Sequence, residues 1–283
     1  MNSSSPSLIR LIINADDLGC SPAIDRGILW AFEAGGITSA SLLANGRSFG
    51  DAAREIRAQG IPAGVHLNLS EGRPLSGPIR GLTDSAGDFP GKTATRRALA
   101  GGDVDAAGLR RELSTQVLRT LEAGLTPDHL DTHQHAILFP PVTAAVLEVA
   151  QAYGIGALRL PEPADPPVAD PPGLLGEELA FYRRSAPAVA KALRNAGLAA
   201  PDGLWGMPFL NRLDEPALCG ILGALPPGTW ELMAHPGYCD PARPFAGPER
   251  ELELEALTAS SVRGLLGERE IRLINFGDLA CAC

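Results

Sequence analysis

Positive charge is scarce in this chain of 283 residues, which carries 24 Lys+Arg against 33 Asp+Glu and a formal net charge of −9. Nucleic-acid backbones and anionic membrane surfaces attract the opposite charge, so neither is expected as a partner. Long apolar runs are also missing, since none approaches the roughly 18 residues of a membrane span. Residues 1–6 lack the basic region and the apolar stretch of a signal peptide. We therefore expect a cytoplasmic protein.

Aromatic residues are few, at 5 % of the chain against 45 % for all hydrophobic residues, so an aliphatic core is expected. The five cysteines are scattered: Cys20, Cys219, Cys239, Cys281 and Cys283. An odd number of cysteines without a secretion signal predicts reduced thiols rather than a disulfide framework. The terminal Cys-Ala-Cys pair has no second pair that would complete a structural zinc site.

Short apolar runs alternate with helical patterns along the whole chain. The predicted strands are Leu8–Asn14, Thr38–Ala44, Ala63–Leu69, Asp128–Thr132, Ala157–Leu160, Gly203–Trp205, Thr229–Ala234 and Arg272–Phe276. The predicted helices are 22–34 (after Ser21 as N-cap and before Gly35-Gly36), Asp51–Gln59, Leu109–Glu122, Val142–Tyr153, Glu177–Ala196, Glu215–Leu225 and Glu249–Leu266. Seven or eight βα units without a break in composition predict one α/β domain over residues 1–283, a closed or nearly closed parallel barrel. A doubly wound open sheet is the alternative.

Two segments fall outside this alternation. Residues 76–108 are rich in Gly and Asp with weak periodicity, and residues 161–176 contain six prolines. Both are predicted to be loop insertions. Long loops after barrel strands often form lids or substrate walls, and tolerated surface insertions are an equally good interpretation.

Two adjacent carboxylates, Asp16 and Asp17, close the first predicted strand in the sequence NADDLG. The carboxyl end of a barrel strand is where active sites are built. Because neighbouring side chains of a strand point in opposite directions, one carboxylate is expected to bind a metal while the other faces a water beside it. The alternative is a pair of solvent-exposed aspartates that open a loop.

Histidines are concentrated near the ends of predicted strands. A lone strand histidine such as His66 is more often a core residue than a ligand. The run Asp131-Thr132-His133-Gln134-His135 is more specific, because three donor groups crowd five positions. If the strand continues through this run, Asp131, His133 and His135 share one face. We expect a metal or catalytic role for this cluster.

His235 precedes Pro-Gly at the end of another predicted strand, where it could simply begin a turn. Apart from His129, however, every histidine lies at or near a strand end on the same face as the aspartate pair. One carboxylate and two imidazoles with an open coordination position are typical of a catalytic metal site. The absence of cysteine from these motifs argues against a closed structural zinc site.

Several motifs together resemble one known family, the YdjC/ChbG carbohydrate deacetylases of the diacetylchitobiose deacetylase type. The resemblance runs in the same order from about Leu11 to the end of the chain. The motifs that carry it are NADDLG (14–19), GITSASLLAN (36–45), GVHLNLSEGRPL (64–75), HLDTHQH (129–135), RLPEP (159–163), ELMAHPGY (231–238) and ERELELEALT (249–258).

The resemblance implies a distorted TIM-like (β/α) barrel that hydrolyses the N-acetyl group of a small acetylated sugar or chitooligosaccharide with a divalent metal. Asp17, His66 and His133 would be the metal ligands and Asp16 the general base.

The wider polysaccharide deacetylase scheme adds two further roles: Arg159 would orient a catalytic carboxylate, and His235 would be the general acid. His135 and Asn68, in the same motifs, are candidate substrate contacts. The family implies Mg²⁺, whereas two imidazoles and one carboxylate suit Zn²⁺, Co²⁺ or Fe²⁺ better.

The sequence departs from the family at two positions. Ile137 stands where a further histidine is often found, and Leu18 stands where an aromatic residue is more usual. The change at 137 puts in doubt any sugar contact that the histidine would make. Segments 76–108 and 161–210 carry little of the resemblance, so the identity of the sugar does not transfer.

Two other functions remain open. A metal-dependent hydrolase of another bond, such as a phosphoester or a non-sugar amide, would have similar ligands. Phosphate handling would require Arg, Lys or a glycine-rich cradle near these motifs, and only Arg159 is there. A non-catalytic sugar-binding protein would need no general base. The partner is therefore expected to be an acetylated sugar; a homodimer is compatible with the sequence, which does not decide the oligomeric state.

Overall fold

The computed structural model describes residues 8–280 as an α/β fold around a curled, parallel seven-stranded sheet. The strands are β1 (Ile9–Leu18), β2 (Ser39–Leu42), β3 (Ala63–Leu67), β4 (Leu130–Thr132), β5 (Gly203–Trp205), β6 (Gly228–Ala234) and β7 (Arg272–Leu273). Their order is β4-β3-β2-β1-β6-β5, and β7 pairs with β1 off this path. Since every pairing is parallel, the carboxyl ends of the strands meet at one rim.

The barrel is distorted where the predicted strand Ala157–Leu160 should lie. Only isolated parallel bridges remain there, Leu130 to Leu158 and Ala157 to Ala199, followed by one from Pro163 to Leu204 near β5. Pro161 and Pro163 lack the backbone N–H that a regular ladder needs, so the bridges at Ala157 and Leu158 are not extended into a longer strand. The predicted barrel is thus confirmed in its distorted form, with the regular sheet covering half of it.

The helices cover the outside of the sheet, as the βα alternation predicts. They are α1 (Pro22–Glu33), α2 (Phe49–Gln59), α3 (Lys92–Gly101), α4 (Ala106–Glu122), α5 (Pro140–Tyr153), α6 (Leu174–Asn195), α7 (Glu215–Ala224), α8 (Glu249–Thr258), α9 (Ser260–Glu268) and α10 (Phe276–Ala280). Ser21 is at the N-cap of α1 and Pro22 begins the helix, although the Ser21 side chain makes no capping hydrogen bond. Among the described residues, no helix is long and apolar enough to span a bilayer.

Several predicted boundaries are wrong. β1 continues to Leu18 instead of ending at Asn14, and the predicted strand Arg272–Phe276 is reduced to Arg272–Leu273, because α10 begins at Phe276. The single helix expected over 249–266 is two helices, because Ala259 is extended (φ −63°, ψ 142°) and the Thr258 hydroxyl donates instead to the Leu254 carbonyl at 2.8 Å. Segment 76–108 contains α3 and the start of α4, which Asp105 caps through the N–H of Ala107. Segment 161–176 is largely irregular, but it includes a short 3-10 turn and the first turn of α6.

The core is aliphatic, as the composition predicts, and it is formed chiefly by the strands. Leu11, Val65 and Leu67 are fully buried. Of the cysteines, Cys20, Cys219 and Cys239 are free thiols in the structure, whereas the Cys281 and Cys283 pair lies outside the described residues.

One close approach inside the core involves Gly64 of β3 and the ring of His129, next to β4. His129 is fully buried, stacks on Phe276 with ring centroids 3.8 Å apart, and contacts the Ser41 hydroxyl at 3.2 Å and Asp128 at 2.7 Å. A Cβ at position 64 would overlap the imidazole. This histidine is a core residue, in agreement with its exclusion from the predicted site.

We therefore predict that Gly64→Ala destabilises the protein by about 1–3 kcal/mol, because the ring of His129 is held on three sides and cannot move away. Urea denaturation measures the change. Gly220→Ala is the matched control, since Gly220 lies on the exposed side of α7 with open space around its Cα. That variant should be neutral or slightly stabilising. Equal stability of the two variants would contradict the predicted overlap.

Candidate metal centre and active site

The two aspartates of NADDLG lie in a β-bulge at the end of β1. The register of β1 against β2 shifts between Ala15 and Leu18, and Asp17 adopts a left-handed backbone conformation with φ 71°. The bulge redirects a side chain that would otherwise point away. Asp16 Oδ2 and Asp17 Oδ1 consequently lie 3.9 and 3.7 Å from the same atom, His66 Nε2. The expectation that the two carboxylates point in opposite directions is wrong.

Asp17 is buried, and its two oxygens have different surroundings. Oδ2 accepts a 2.5 Å charge-assisted hydrogen bond from Arg250 of α8. Oδ1 accepts no hydrogen bond of good geometry, and the nearest donor group is His133 Nδ1 at 3.2 Å. Burial favours the neutral acid, but Arg250 and then His133 outweigh it and hold the pKa of Asp17 well below its ordinary value. A buried, ionised oxygen without a well-formed hydrogen bond is what a bound cation would satisfy.

The imidazoles of His66 and His133 face this oxygen. His66 Nε2 and His133 Nδ1 are 3.1 Å apart, and they lie 3.7 and 3.2 Å from Asp17 Oδ1. A triangle with these sides has its centre about 2 Å from each corner, which is the length of a zinc–nitrogen or zinc–oxygen bond. Asp17, His66 and His133 thus form a group that could hold a metal ion, as predicted.

The electrostatics of this triangle favour positive charge. Burial disfavours the imidazolium form of His133, yet the carboxylates of Asp17 and Glu71 outweigh burial and raise its pKa to about 10. A field that holds a proton so strongly at this position also favours a divalent cation there. The residues present therefore fit a metal, while its identity is not fixed by the geometry.

The prediction that Asp131, His133 and His135 share one strand face is wrong. Strand β4 ends at Thr132, and Gln134 and His135 adopt left-handed conformations with φ 55° and 57°. The reversal aims His133 at Asp17, whereas Asp131 lies behind His66, with Oδ2 2.7 Å from His66 Nδ1. His135 turns the other way and contacts the ring of Tyr182 edge-on, with centroids 5.2 Å apart.

Asp16 is held by Arg159, which donates to both of its oxygens at 2.7 and 2.6 Å. The same guanidinium contacts Asp131 Oδ2 at 2.7 Å and Glu231 Oε1 at 2.8 and 2.7 Å, so all five of its N–H groups face carboxylates. Burial raises the pKa of Asp16, but Arg159 and then His66 lower it by more, so that the pKa lies below its ordinary range. Arg159 thus holds the ionised carboxylate of Asp16 in place.

Asp16, His66 and Asp131 also lie close enough together to suggest a second metal group. Arg159 Nη1, however, contacts both Asp16 Oδ2 and Asp131 Oδ2 at 2.7 Å. A guanidinium already satisfies these carboxylates, so we regard only the group containing Asp17 as a metal site.

His235 follows β6 directly and lies across from the metal triangle. Its Nε2 is 3.9 Å from Asp16 Oδ2, and its backbone N–H donates to Glu253 at 2.5 Å. Burial lowers the pKa of His235 to about 4, although Asp16 and Asp17 favour the imidazolium form. Burial likewise raises the pKa of Glu253 to about 7. In the free protein at neutral pH, His235 is therefore a neutral imidazole.

The other predicted contacts are placed differently. The Asn68 amide is buried and binds the backbone at Ser70 and Glu71, so it supports the loop behind the site. His135 lines the cavity with Nδ1 unpaired, and burial keeps its pKa well below the ordinary value. Ile137 is buried in the core, and so is Leu18. Direct substrate contact by Asn68 and His135 stays a prediction.

Three residues of the site were not found from the sequence. Arg250 binds Asp17, Glu231 binds Arg159, and Glu71 lies 3.4 Å from His133 Nε2 while accepting from Gln134 at 3.1 Å. All three fall inside the motifs that resemble the family, which is the one signal that could have indicated them.

The metal triangle opens into a cavity of about 220 Å³. Asp16, His66, His133 and His235 are among its polar lining residues. Its apolar lining residues are Leu175, Leu179, Met207, Leu210, Met233 and Phe245. Lys92 is the one lysine or arginine that lines this cavity in the described chain, and it pairs with Glu178 at 2.8 Å.

Comparison with known proteins identifies the family. A family model described as YdjC-like protein matches residues 10–268. This chain belongs to the YdjC-like family. A carbohydrate deacetylase from Mus musculus is 38 % identical over 96 % of this YdjC-like chain and 95 % of that protein. A carbohydrate deacetylase from Clostridium beijerinckii is 31 % identical over 96 % of this chain and 100 % of that protein.

Solved structures share the fold of this YdjC-like protein. A protein described as a cellobiose-phosphate cleavage protein from Enterococcus faecalis aligns with a TM-score of 0.75 at 24 % identity, over 96 % of this chain and 99 % of that chain. A peptidoglycan N-acetylglucosamine deacetylase aligns with a TM-score of 0.50 at 12 % identity, over 95 % of this chain and 87 % of that chain. These likenesses establish the distorted α/β barrel.

If the triangle binds a metal, His133→Ala should lower the metal content of the purified YdjC-like protein, because it removes one of three converging donors. Elemental analysis after loading with Zn²⁺ and gel filtration measures it. His135→Ala is the control, since His135 lies outside the triangle and should leave the content unchanged. Full occupancy in His133→Ala would remove this residue from the ligand set.

The buried imidazole of His235 predicts a loss of stability on acidification. The unfolded group takes up a proton near pH 6.5, whereas the folded group stays neutral down to about 4. The free energy of unfolding therefore falls as pH drops through this range. His235→Gln should reduce the fall between pH 7 and 4.5 by roughly 2 kcal/mol in the metal-free protein, measured by urea denaturation. An unchanged pH dependence would contradict the neutral state of His235.

Proposed function

We propose that this protein is a metal-dependent hydrolase that removes the N-acetyl group from a small acetylated sugar or chitooligosaccharide. The observation that carries the proposal is the convergence of Asp17, His66 and His133 beside the ionised Asp16. The names of the relatives support the same chemistry, since they are carbohydrate deacetylases matched over nearly the full length of both chains.

Asp17 Oδ1, His66 Nε2 and His133 Nδ1 would hold the divalent cation. Once bound, the cation would polarise the acetamide carbonyl and lower the pKa of an attacking water. The donor set favours Zn²⁺ or a similar transition metal, whereas the family resemblance implies Mg²⁺. Reconstitution of metal-free protein with each ion decides between them.

Asp16 is assigned as the general base. Arg159 fixes its orientation and keeps it ionised, so it can only accept a proton. A carboxylate with a lowered pKa is a weak base, so it does not readily take a proton from bulk water. Asp16 therefore suits a water that is already acidic, which is consistent with its position 3.9 Å from the ligand atom of His66.

His235 is assigned as the general acid, although it is neutral in the free protein. Its Nε2 lies 3.9 Å from Asp16 Oδ2, and the nearby carboxylates favour its charged form. The proton that Asp16 takes from water can thus pass to His235 and then to the leaving amine. In this sequence of steps, Asp16 protonates His235 in each turnover, and the resulting imidazolium acts as the general acid.

The cavity agrees with a small sugar. Its volume of about 220 Å³ is sufficient for a sugar ring beside the metal triangle. The apolar lining residues can contact the acetyl methyl group and the apolar face of the ring, while the polar lining residues can contact the amide. A phosphoester is less favoured, because Arg159 and Arg250 are engaged with carboxylates and Lys92 pairs with Glu178.

Acetate release from diacetylchitobiose, with and without a chelator, tests the proposal. Chelator-sensitive release supports the deacetylase, and metal-dependent hydrolysis of a phosphoester alone supports the rival enzyme. Sugar binding without any hydrolysis supports a non-catalytic binding protein.

Asp16→Asn should lower kcat by about 10²-fold or more, the scale of a lost general base, while metal content is retained. Acetate release measures kcat, and elemental analysis confirms loading. Asp165→Asn is a control for substitution of a buried aspartate away from the metal, because Asp165 accepts from the Gly206 N–H at 2.9 Å. Near-normal turnover in a loaded Asp16→Asn variant would rule out the assigned role.

A further inference from the structure

The buried carboxylate of Asp131 is not explained by the predicted ligand set. It lies on β4 directly beside His66 of β3 in the strand register. We propose that Asp131 is a positioning residue: it fixes the proton of His66 on Nδ1, so that Nε2 is free to bind the cation, and it links this ligand to the Arg159–Asp16 pair. The inference rests on the metal centre of the proposed function.

The contact between Asp131 and His66 determines the tautomer. Asp131 Oδ2 is 2.7 Å from His66 Nδ1, and an ionised carboxylate can only accept a hydrogen bond. Neutral imidazole carries one N–H, so the proton lies on Nδ1 and the lone pair lies on Nε2. Nε2 is the atom that faces His133 Nδ1 at 3.1 Å and Asp17 Oδ1 at 3.7 Å.

The same carboxylate oxygen also reaches the catalytic pair. Asp131 Oδ2 is 2.7 Å from Arg159 Nη1, and this nitrogen donates at 2.7 Å to Asp16 Oδ2. The chain of contacts therefore runs from the metal ligand through Asp131 and Arg159 to the general base. Asp131 is buried, so no water competes for these contacts.

A second Asp–His pair, immediately before the same strand, provides a comparison. Asp128 lies 2.7 Å from His129 Nδ1, the same distance as between Asp131 and His66. The other ring nitrogen of His129 faces the Ser41 hydroxyl instead of the metal triangle. If an Asp–His pair served only to stabilise this strand, the two aspartates would have equivalent roles.

The test compares Asp131→Asn with Asp128→Asn. The asparagine amide can donate to Nδ1, which would move the proton of His66 to Nε2 and block the ligand atom. Affinity for Zn²⁺, measured by competition with a chromogenic chelator, should fall by about 10–100-fold in Asp131→Asn. Asp128→Asn should stay within about 2-fold of wild type. Equal affinities of Asp131→Asn and wild type would overturn the proposal.

A measurement on the wild-type protein tests the inference even if Asp131→Asn does not fold. In metal-free protein labelled with ¹⁵N-histidine, long-range ¹H–¹⁵N spectra should place the proton of His66 on Nδ1, with a slowly exchanging, far-downfield resonance. With five histidines in the chain, the ring signals can be assigned individually. A His66 proton on Nε2, or one that exchanges as fast as that of an exposed imidazole, would overturn the inference.

These readouts separate this inference from the proposed function. Wild-type protein that binds Zn²⁺ with the expected His66 tautomer, yet releases no acetate, contradicts only the deacetylase proposal. Wild-type protein that binds neither Zn²⁺ nor any other divalent cation contradicts both.

Discussion

A single buried guanidinium organises the site. Arg159 receives carboxylates from β1, β4 and β6, namely Asp16, Asp131 and Glu231, and each of its N–H groups faces one of them. Removing such charges from water is costly, and the attraction between them repays the cost only when the geometry is complete. We therefore interpret this cluster as fixing the relative positions of β1, β4 and β6 rather than as a source of stability.

The charges around the site favour a bound cation. Asp16, Asp17 and Asp131 have lowered pKa values, whereas burial raises the pKa values of Glu231 and Glu253 and so favours their neutral forms. Asp16 and Asp17 are paired with Arg159 and Arg250, and Asp17 Oδ1 faces the imidazoles of His66 and His133 at 3.7 and 3.2 Å.

Sequence periodicity predicts the fold and the rim well, because parallel strands bring their carboxyl ends together wherever they lie in the chain. It fails where the backbone leaves regular geometry. The bulge at Asp16 and Asp17 and the end of β4 at Thr132 both depend on contacts with other strands. Arg250 and Glu231 reach the site from remote segments, so no local spacing indicates them.

The turn that carries His133 shows how the irregular segments support the chemistry. Two successive left-handed residues, Gln134 and His135, cost of order 1–2 kcal/mol each and need outside support. Arg96 of α3 donates to the Gln134 carbonyl at 3.1 Å and also binds Tyr182 of α6. Helix α3 lies inside segment 76–108, and α6 begins inside segment 161–176.

The part of the chain with the weakest periodicity therefore supports the most strained residues beside the metal triangle. The turn also contacts the site through its own side chain, because Gln134 donates to Glu71, and Glu71 faces the ring of His133. A tolerated surface insertion would not be expected to hold such a turn. Because α3 and α6 both contact it, changes in these segments would alter the position of His133 as well as the shape of the cavity.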